Sequence, residues 1–429
     1  MLQIFIEDDK DFIKMVNKIL NRGEVQSKEV ENAVKEIINE VRINGDISVL
    51  NYTKMFDKVC LNAGSMRVTQ AEIKKAYKFA DKKYLDALEK SHENILKFHK
   101  TQVENSKFLS DEGCIVGQII RPVKRVGLYI PGGRAPLVST VLMNAIPAVL
   151  AGVPEIIMVS PPDKSGKINP YLLIAADMSG VKNIFKAGGA QAIAALAYGT
   201  DTIPKVDKIV GPGNIYVAIA KKFVFGSVDI DMIAGPSEIL IIADEGSTPE
   251  FIAADLLSQA EHDERASAVL VTTSLALAKK VKLEIKKQLN LLKRKDIAYE
   301  SLTNYGGIFV INNLEKAMSF ANNFAPEHLE LMVKDPFLWL GKIENAGAIF
   351  IGNYSPEVSG DYIAGPNHVL PTGGTSRFFS PLGVYDFIKR SSLIYYSYEK
   401  LKKMAPYISA IAEIEGLEAH NNSLKKRII

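Results

Sequence analysis

Six histidines occur in this 429-residue chain. Four of them, His262, His328, His368 and His420, stand in segments rich in acidic residues, glycine or proline. In Gln259-Ala260-Glu261-His262-Asp263 the amide and the imidazole are three residues apart at the end of an expected helix, so they share a face. Pro326-Glu327-His328 reads as a helix start with proline at its first position. The positive end of such a helix would favour an ionised Glu327 and a neutral His328, the form a general base needs. Ser359-Gly360-Asp361 precedes Gly365-Pro366-Asn367-His368, and Glu415-Gly416-Leu417-Glu418-Ala419-His420 lies near the end of the chain. His, Asp and Gln donors without cysteine make a nitrogen and oxygen site. That suits zinc, with manganese or cobalt as alternatives. His92 and His99 fall on an expected helix, Tyr84 to Gln102, and read as structural.

A second group of residues could approach a nucleotide. Apolar runs at Val126–Ile130, Asn183–Ala187 and Lys208–Val210 end in Pro131-Gly132-Gly133, Gly188-Gly189 and Gly211-Pro212-Gly213. Small residues after a strand let backbone come close to a phosphate or ribose. The dinucleotide fingerprint G-x-G-x-x-G is absent, since Tyr216 stands where its third glycine belongs. Tight strand-to-helix turns explain the same glycines. The residues alone therefore point to a metal-assisted α/β enzyme, with nucleotide dependence left open.

The elements that must position these groups follow a strand–helix rhythm. Strands are expected at Val126–Ile130, Glu155–Ser160, Asn183–Ala187, Lys208–Val210, Glu238–Ala243, Ala268–Thr272, Gly307–Ile311 and Ala348–Ile351, with helices between them. Near-continuous apolar strands argue for parallel sheets covered on both faces. The expected fold is α/β, with two doubly wound Rossmann-like domains. The division runs 1–22 as a helical segment, 23–124 with 238–380 as one discontinuous α/β domain, 125–237 as the other, and 381–429 as a helical tail. Amphipathic helices fill the first hundred residues, one beginning after a capping Ser27 with Val30, Val34, Ile37, Ile38 and Val41 on its apolar face.

Bulk composition excludes several classes. Lys+Arg (52) and Asp+Glu (49) nearly cancel to +3, so no basic field for nucleic acid is expected. The lysine-rich stretches read as solvated faces. Two cysteines, Cys60 and Cys114, are too few for a disulfide framework, and they suit a reducing, cytoplasmic setting. No signal sequence or membrane span is expected.

Seven segments together resemble the histidinol dehydrogenase family. They are Arg125-Val126-Gly127-Leu128-Tyr129-Ile130-Pro131-Gly132-Gly133, Ala187-Gly188-Gly189-Ala190-Gln191-Ala192, Val210-Gly211-Pro212-Gly213-Asn214, Ala234-Gly235-Pro236-Ser237-Glu238, Ser258-Gln259-Ala260-Glu261-His262-Asp263, Ala325-Pro326-Glu327-His328-Leu329 and Glu415-Gly416-Leu417-Glu418-Ala419-His420. The resemblance implies a zinc- and NAD-dependent oxidation of L-histidinol to L-histidine. It implies Gln259, His262, Asp361 and His420 as zinc ligands and Glu327 and His328 as the acid–base pair. It further implies that Ser237, His368 and Glu415 touch the substrate, as would the zinc ligands and His328. Tyr129, Gln191 and Asn214 would touch NAD. It implies a homodimer whose tail completes the neighbouring site. A metal hydrolase without a dinucleotide, and a non-catalytic binding protein, are the rival readings.

Overall fold

The computed structural model describes residues 2–7, 9–23, 28–132, 136–233 and 235–428. Ser27, expected to cap a helix, lies outside them, as do Gly133 and Ala234. Two parallel sheets form the body. One has five strands in the order Asn183–Lys186, Glu155–Ser160, Arg125–Tyr129, Lys208–Val210 and Asp229–Ile230. The other has six, in the order Ile4–Ile6, Gly307–Val310, Ser267–Thr272, Glu238–Ala243, His328–Met332 and Ala348–Ile351. Both are doubly wound, as expected. Their strand order reverses beside Arg125–Tyr129 in the first sheet and beside Glu238–Ala243 in the second.

The N-terminal helices pack differently from the expected division. Lys28–Asn44 and Asp46–Phe56 lie on helix Gly189–Tyr198, while Gln70–Phe79 and Lys82–His99 lie on Pro170–Met178 and Val138–Leu150. Val34, Ile37, Val41 and Val49 share a core with Ile157 and Val159, and Ile73 and Ile95 share one with Leu128 and Ile146. These helices therefore cover the sheet of 125–237, not that of 238–380. The reason is legible in the crossover helix Gly189–Tyr198, GAQAIAALAY, where Ala190 through Ala197 are all buried. A helix apolar on every side needs a further layer outside it, and the one-sided N-terminal helices supply that layer. The first residues are likewise not only helical. Ile4–Ile6 is an edge strand beside Gly307–Val310, and Leu2, Phe5 and Ile19 enter the second domain's core.

The tail is not purely helical either. Ile388–Tyr396 is a strand, antiparallel to Cys114–Pro122, which in turn pairs with Lys107–Asp111. Helices Tyr398–Ile414 and Glu418–Lys425 follow. Both cysteines are free thiols, Cys60 exposed and Cys114 buried. Among the described residues no helix is long and apolar enough to cross a membrane.

Candidate active site

Glu327 and His328 do not begin a helix. His328 is the first residue of a central strand whose five residues, HLELM, are all buried between Glu238–Ala243 and Ala348–Ile351. Two neighbouring strands satisfy its backbone, which outweighs the local Pro-Glu pattern. The helix-dipole argument for their protonation states therefore falls, and burial takes its place. Loss of solvation pushes the His328 imidazole down to about 4, so it is neutral. Burial also raises the Glu327 carboxyl well above its usual range. The Glu238 and Asp361 carboxylates add to that rise, while hydrogen bonding to Glu238 and the charge of Arg22 oppose it.

Glu238 organises this pair. Its backbone N–H donates to Glu327 Oε2 at 2.9 Å, and its carbonyl lies 3.0 Å from His328 Nδ1. A carbonyl oxygen only accepts, so Nδ1 carries the proton and Nε2 is the basic nitrogen. Nε2 is buried with no hydrogen-bond partner. The Glu238 side chain accepts from the N–H groups of Glu327 (3.3 Å) and Gly373 (3.0 Å) and forms a fully buried ion pair with Arg22.

His328 and His368 line a cavity of about 460 Å³ with Asp361, Phe350, Asn367 and Ser359. Donor atoms of His262, Glu357 and Asp361 lie within 4.8 Å of one another at this site. Gln259 is buried one helical turn before His262, and its Oε1 has no partner. A buried carbonyl oxygen without a donor calls for a cation or a donor to satisfy it, and the nitrogen and oxygen set fits zinc. Glu357 escaped the sequence reading. The available signal was its i, i+4 spacing to Asp361 on helix Glu357–Tyr362. Burial and the neighbouring carboxylates of Asp361, Glu327 and Glu330 raise its carboxyl well above the usual range.

Ser237, Glu327 and His368 meet the Gly211-Pro212 turn around a second cavity of about 70 Å³, also lined by Lys221 and Asp231. The site thus sits between the carboxyl edge of the five-stranded sheet and the amino edge of the six-stranded one, where Glu238 and His328 begin their strands. Lys221 and Asp231, also missed in the sequence, form a buried ion pair that grips the turn. Asp231 accepts from Gly211 N–H at 2.7 Å, and Lys221 donates to the Gly211 carbonyl at 3.0 Å. Gly211 has φ 112°, and an added Cβ would stand 2.2 Å from the Tyr129 carbonyl oxygen, so only glycine fits.

The expected NAD contacts sit on that carboxyl edge. The Tyr129 hydroxyl accepts from Gly189 N–H at 3.1 Å, and Gln191 is buried with Oε1 unpartnered. Asn214 caps helix Ile215–Val224, accepting from the N–H groups of Tyr216 (3.1 Å) and Val217 (3.2 Å). His99 is structural, as expected. It is buried, with Nδ1 2.7 Å from Gln102 and Nε2 3.4 Å from Asn367, the residue before His368.

Glu415 and His420 are not brought to this cluster. Both are exposed, on the tail beyond Tyr398–Ile414, and His420 is not among the grouped donors. The tail carries a large uncovered apolar surface, including Tyr407, Ile411 and Ile414, the last 87% exposed.

A family model described as histidinol dehydrogenase matches residues 20–428. The histidinol dehydrogenase of Caldanaerobacter subterraneus subsp. tengcongensis is 54% identical over 427 residues, covering 100% of this chain and 99% of the relative. That of Aquifex aeolicus is 54% identical over 421 residues, covering 98% of each. The crystal structure of histidinol dehydrogenase from Elizabethkingia anophelis superposes with a TM-score of 0.94 at 40% identity, covering 100% of this chain and 98% of that one. With a matching model over nearly its whole length and relatives above half identity, the chain belongs to the histidinol dehydrogenase family.

Proposed function

We propose that the chain oxidises L-histidinol to L-histidine in two successive hydride transfers through the aldehyde, with one zinc ion bound per subunit. As a family member it is an NAD-dependent oxidoreductase acting on an alcohol. The observation that carries the proposal is the unpartnered, buried Nε2 of His328 at a cavity shared with potential metal ligands. Gln259, His262 and Asp361 would hold the zinc, with His420 supplied by the neighbouring subunit. Zinc there supplies an anchor for imidazole and amine nitrogens and a positive charge that favours ionised Glu327. Tyr129, Gln191 and Asn214 would hold NAD, which would supply the hydride acceptor.

His328 Nε2 takes the hydroxyl proton as the alcohol is oxidised. Its Nδ1–H bond to Glu238 fixes the ring and the tautomer throughout. Glu327 draws a proton from the water that adds to the aldehyde. His328, after releasing the first proton to solvent, accepts a proton from the resulting diol in the second oxidation. Ser237 and His368 border the cavity beside Glu327, and with Glu415 they would keep the aldehyde from leaving between steps. The exposed apolar tail favours a homodimer in which Glu415 and His420 reach across. Following NADH on adding histidinol, with and without a chelator, tests the proposal. NADH formation that the chelator abolishes and zinc restores supports it, and no NADH formation rejects it.

A further inference from the structure

In open parallel sheets that bind dinucleotides, an acidic residue near the end of the second strand usually accepts the adenosine ribose 2′-hydroxyl and rejects a 2′-phosphate. Here the corresponding carboxylate is Asp163, three residues beyond Glu155–Ser160. It is exposed and its Oδ1 is tied up within its own loop, accepting from Ser165 N–H at 2.7 Å, Ser165 Oγ at 2.7 Å and Lys167 N–H at 3.0 Å. Pro161 packs against Gly132 and Gly188, so the edge beside that loop is filled.

Another carboxylate reaches the same edge from outside the sheet. Helix Asp46–Phe56 lies on helix Gly189–Tyr198 and begins where Asp46 meets the backbone and hydroxyl of Thr202, just beyond that helix's far end. Its 11 residues rise roughly 16 Å at about 1.5 Å each, which carries its end back toward Gly189. Asp57 follows, and Lys58 then turns the chain in the left-handed region with φ 59°. Val59 and Leu61 run against Gly166, in the loop that leaves the carboxyl end of Glu155–Ser160. Asp57 Oδ2 is buried with no hydrogen-bond partner, and so is the Oε1 of Gln191. The Asp57 charge is felt by the Tyr129 hydroxyl, which places the two side chains in one neighbourhood.

We propose that Asp57 accepts the adenosine ribose hydroxyls of the dinucleotide and sets its preference for NAD over NADP. The inference rests on the NAD-dependent reading of the site. A buried carboxylate oxygen without a donor is satisfied by two vicinal hydroxyls, and it repels a phosphate in the same place.

The test compares wild type with Asp57→Asn and Asp57→Ala. The measurements are kcat and KM with NAD and with NADP at saturating histidinol, Kd for NADH and NADPH by fluorescence, and zinc content. The selectivity for NAD over NADP should fall roughly 10- to 100-fold, the size of a lost hydrogen bond to a charged group. The change should fall on nucleotide KM and Kd, with zinc at its wild-type content. Asp57→Asn keeps the shape, so its result stands even if Asp57→Ala is unstable. A wild-type enzyme that reduces NAD, with variants whose NAD to NADP ratio is unaltered, would overturn this inference alone. A wild-type enzyme that forms no NADH would overturn the functional reading along with it.

Discussion

His328 and Glu238 are joined through a single hydrogen bond, from imidazole Nδ1–H to the Glu238 carbonyl at 3.0 Å, and the N–H of that same Glu238 holds Glu327 at 2.9 Å. The backbone N–H and carbonyl of one residue, Glu238, thus fix both members of the proposed acid–base pair. Glu238 is itself held by the buried Arg22 guanidinium. Replacing Arg22 by Met should leave a buried carboxylate uncompensated and cost roughly 3–5 kcal/mol of stability. Urea unfolding checks this, and a change within 1 kcal/mol or so would mean that Glu238 is satisfied by its N–H donors alone.

Glu327 and His328 should divide the two half-reactions. Only aldehyde oxidation needs an activated water, so Glu327→Gln should impair turnover of histidinal more than that of histidinol. His328→Gln should slow both, by on the order of 10²–10⁴. Steady-state rates with each substrate decide it, and equal losses for Glu327→Gln would remove its water-activating role.

His262 and Asp361 are two of the three clustered donors, so His262→Ala or Asp361→Ala should purify with sub-stoichiometric zinc even with Glu357 in place. Metal analysis of the purified variants is the readout. Full zinc content with normal activity would take these residues out of the metal site.

Much of this site was legible in the sequence, because its parts carry local signals. Gln259 and His262 advertise themselves by helical spacing, and the strand Glu238–Ala243 by the apolar run Ile239–Ala243 bounded by Pro-Ser-Glu and Asp-Glu. The strand His328–Met332 was hidden because it alternates polar with apolar residues yet is buried on both faces, a state set by neighbouring strands. Arg22, Lys221, Asp231 and Glu357 were hidden for a related reason. Their partners lie across the fold or across a turn, and a single charged residue in sequence looks like a solvated one. The antiparallel pairing of Ile388–Tyr396 with Cys114–Pro122 spans most of the chain, and no local pattern announces a partner that far away.

Beside the candidate metal ligands, the half-buried Asp255 and the buried Glu330 are neighbouring carboxyls. Burial raises Asp255 to about 6, and burial together with the Asp255 charge raises Glu330 well above the usual range. Folded-state values above the unfolded ones mean that this pair's contribution is fully present at low pH and is lost as pH rises through about 6. Asp255→Asn should therefore raise the melting temperature relative to wild type more at pH 8 than at pH 5. Melting curves at the two values check it, and a pH-independent difference would contradict it.

The tail should act in trans. Heterodimers formed from a subunit inactivated at His420 and one inactivated at His262 place both defects in one site and leave the other intact. Activity should partly return, whereas a tail folding back on its own subunit would leave the heterodimer inactive.

One site should carry the substrate through both oxidations. Product stoichiometry with histidinol limiting tests it most directly. Two NADH should form per histidine, with no free aldehyde accumulating. One NADH per histidinol with histidinal released as the end product would contradict it.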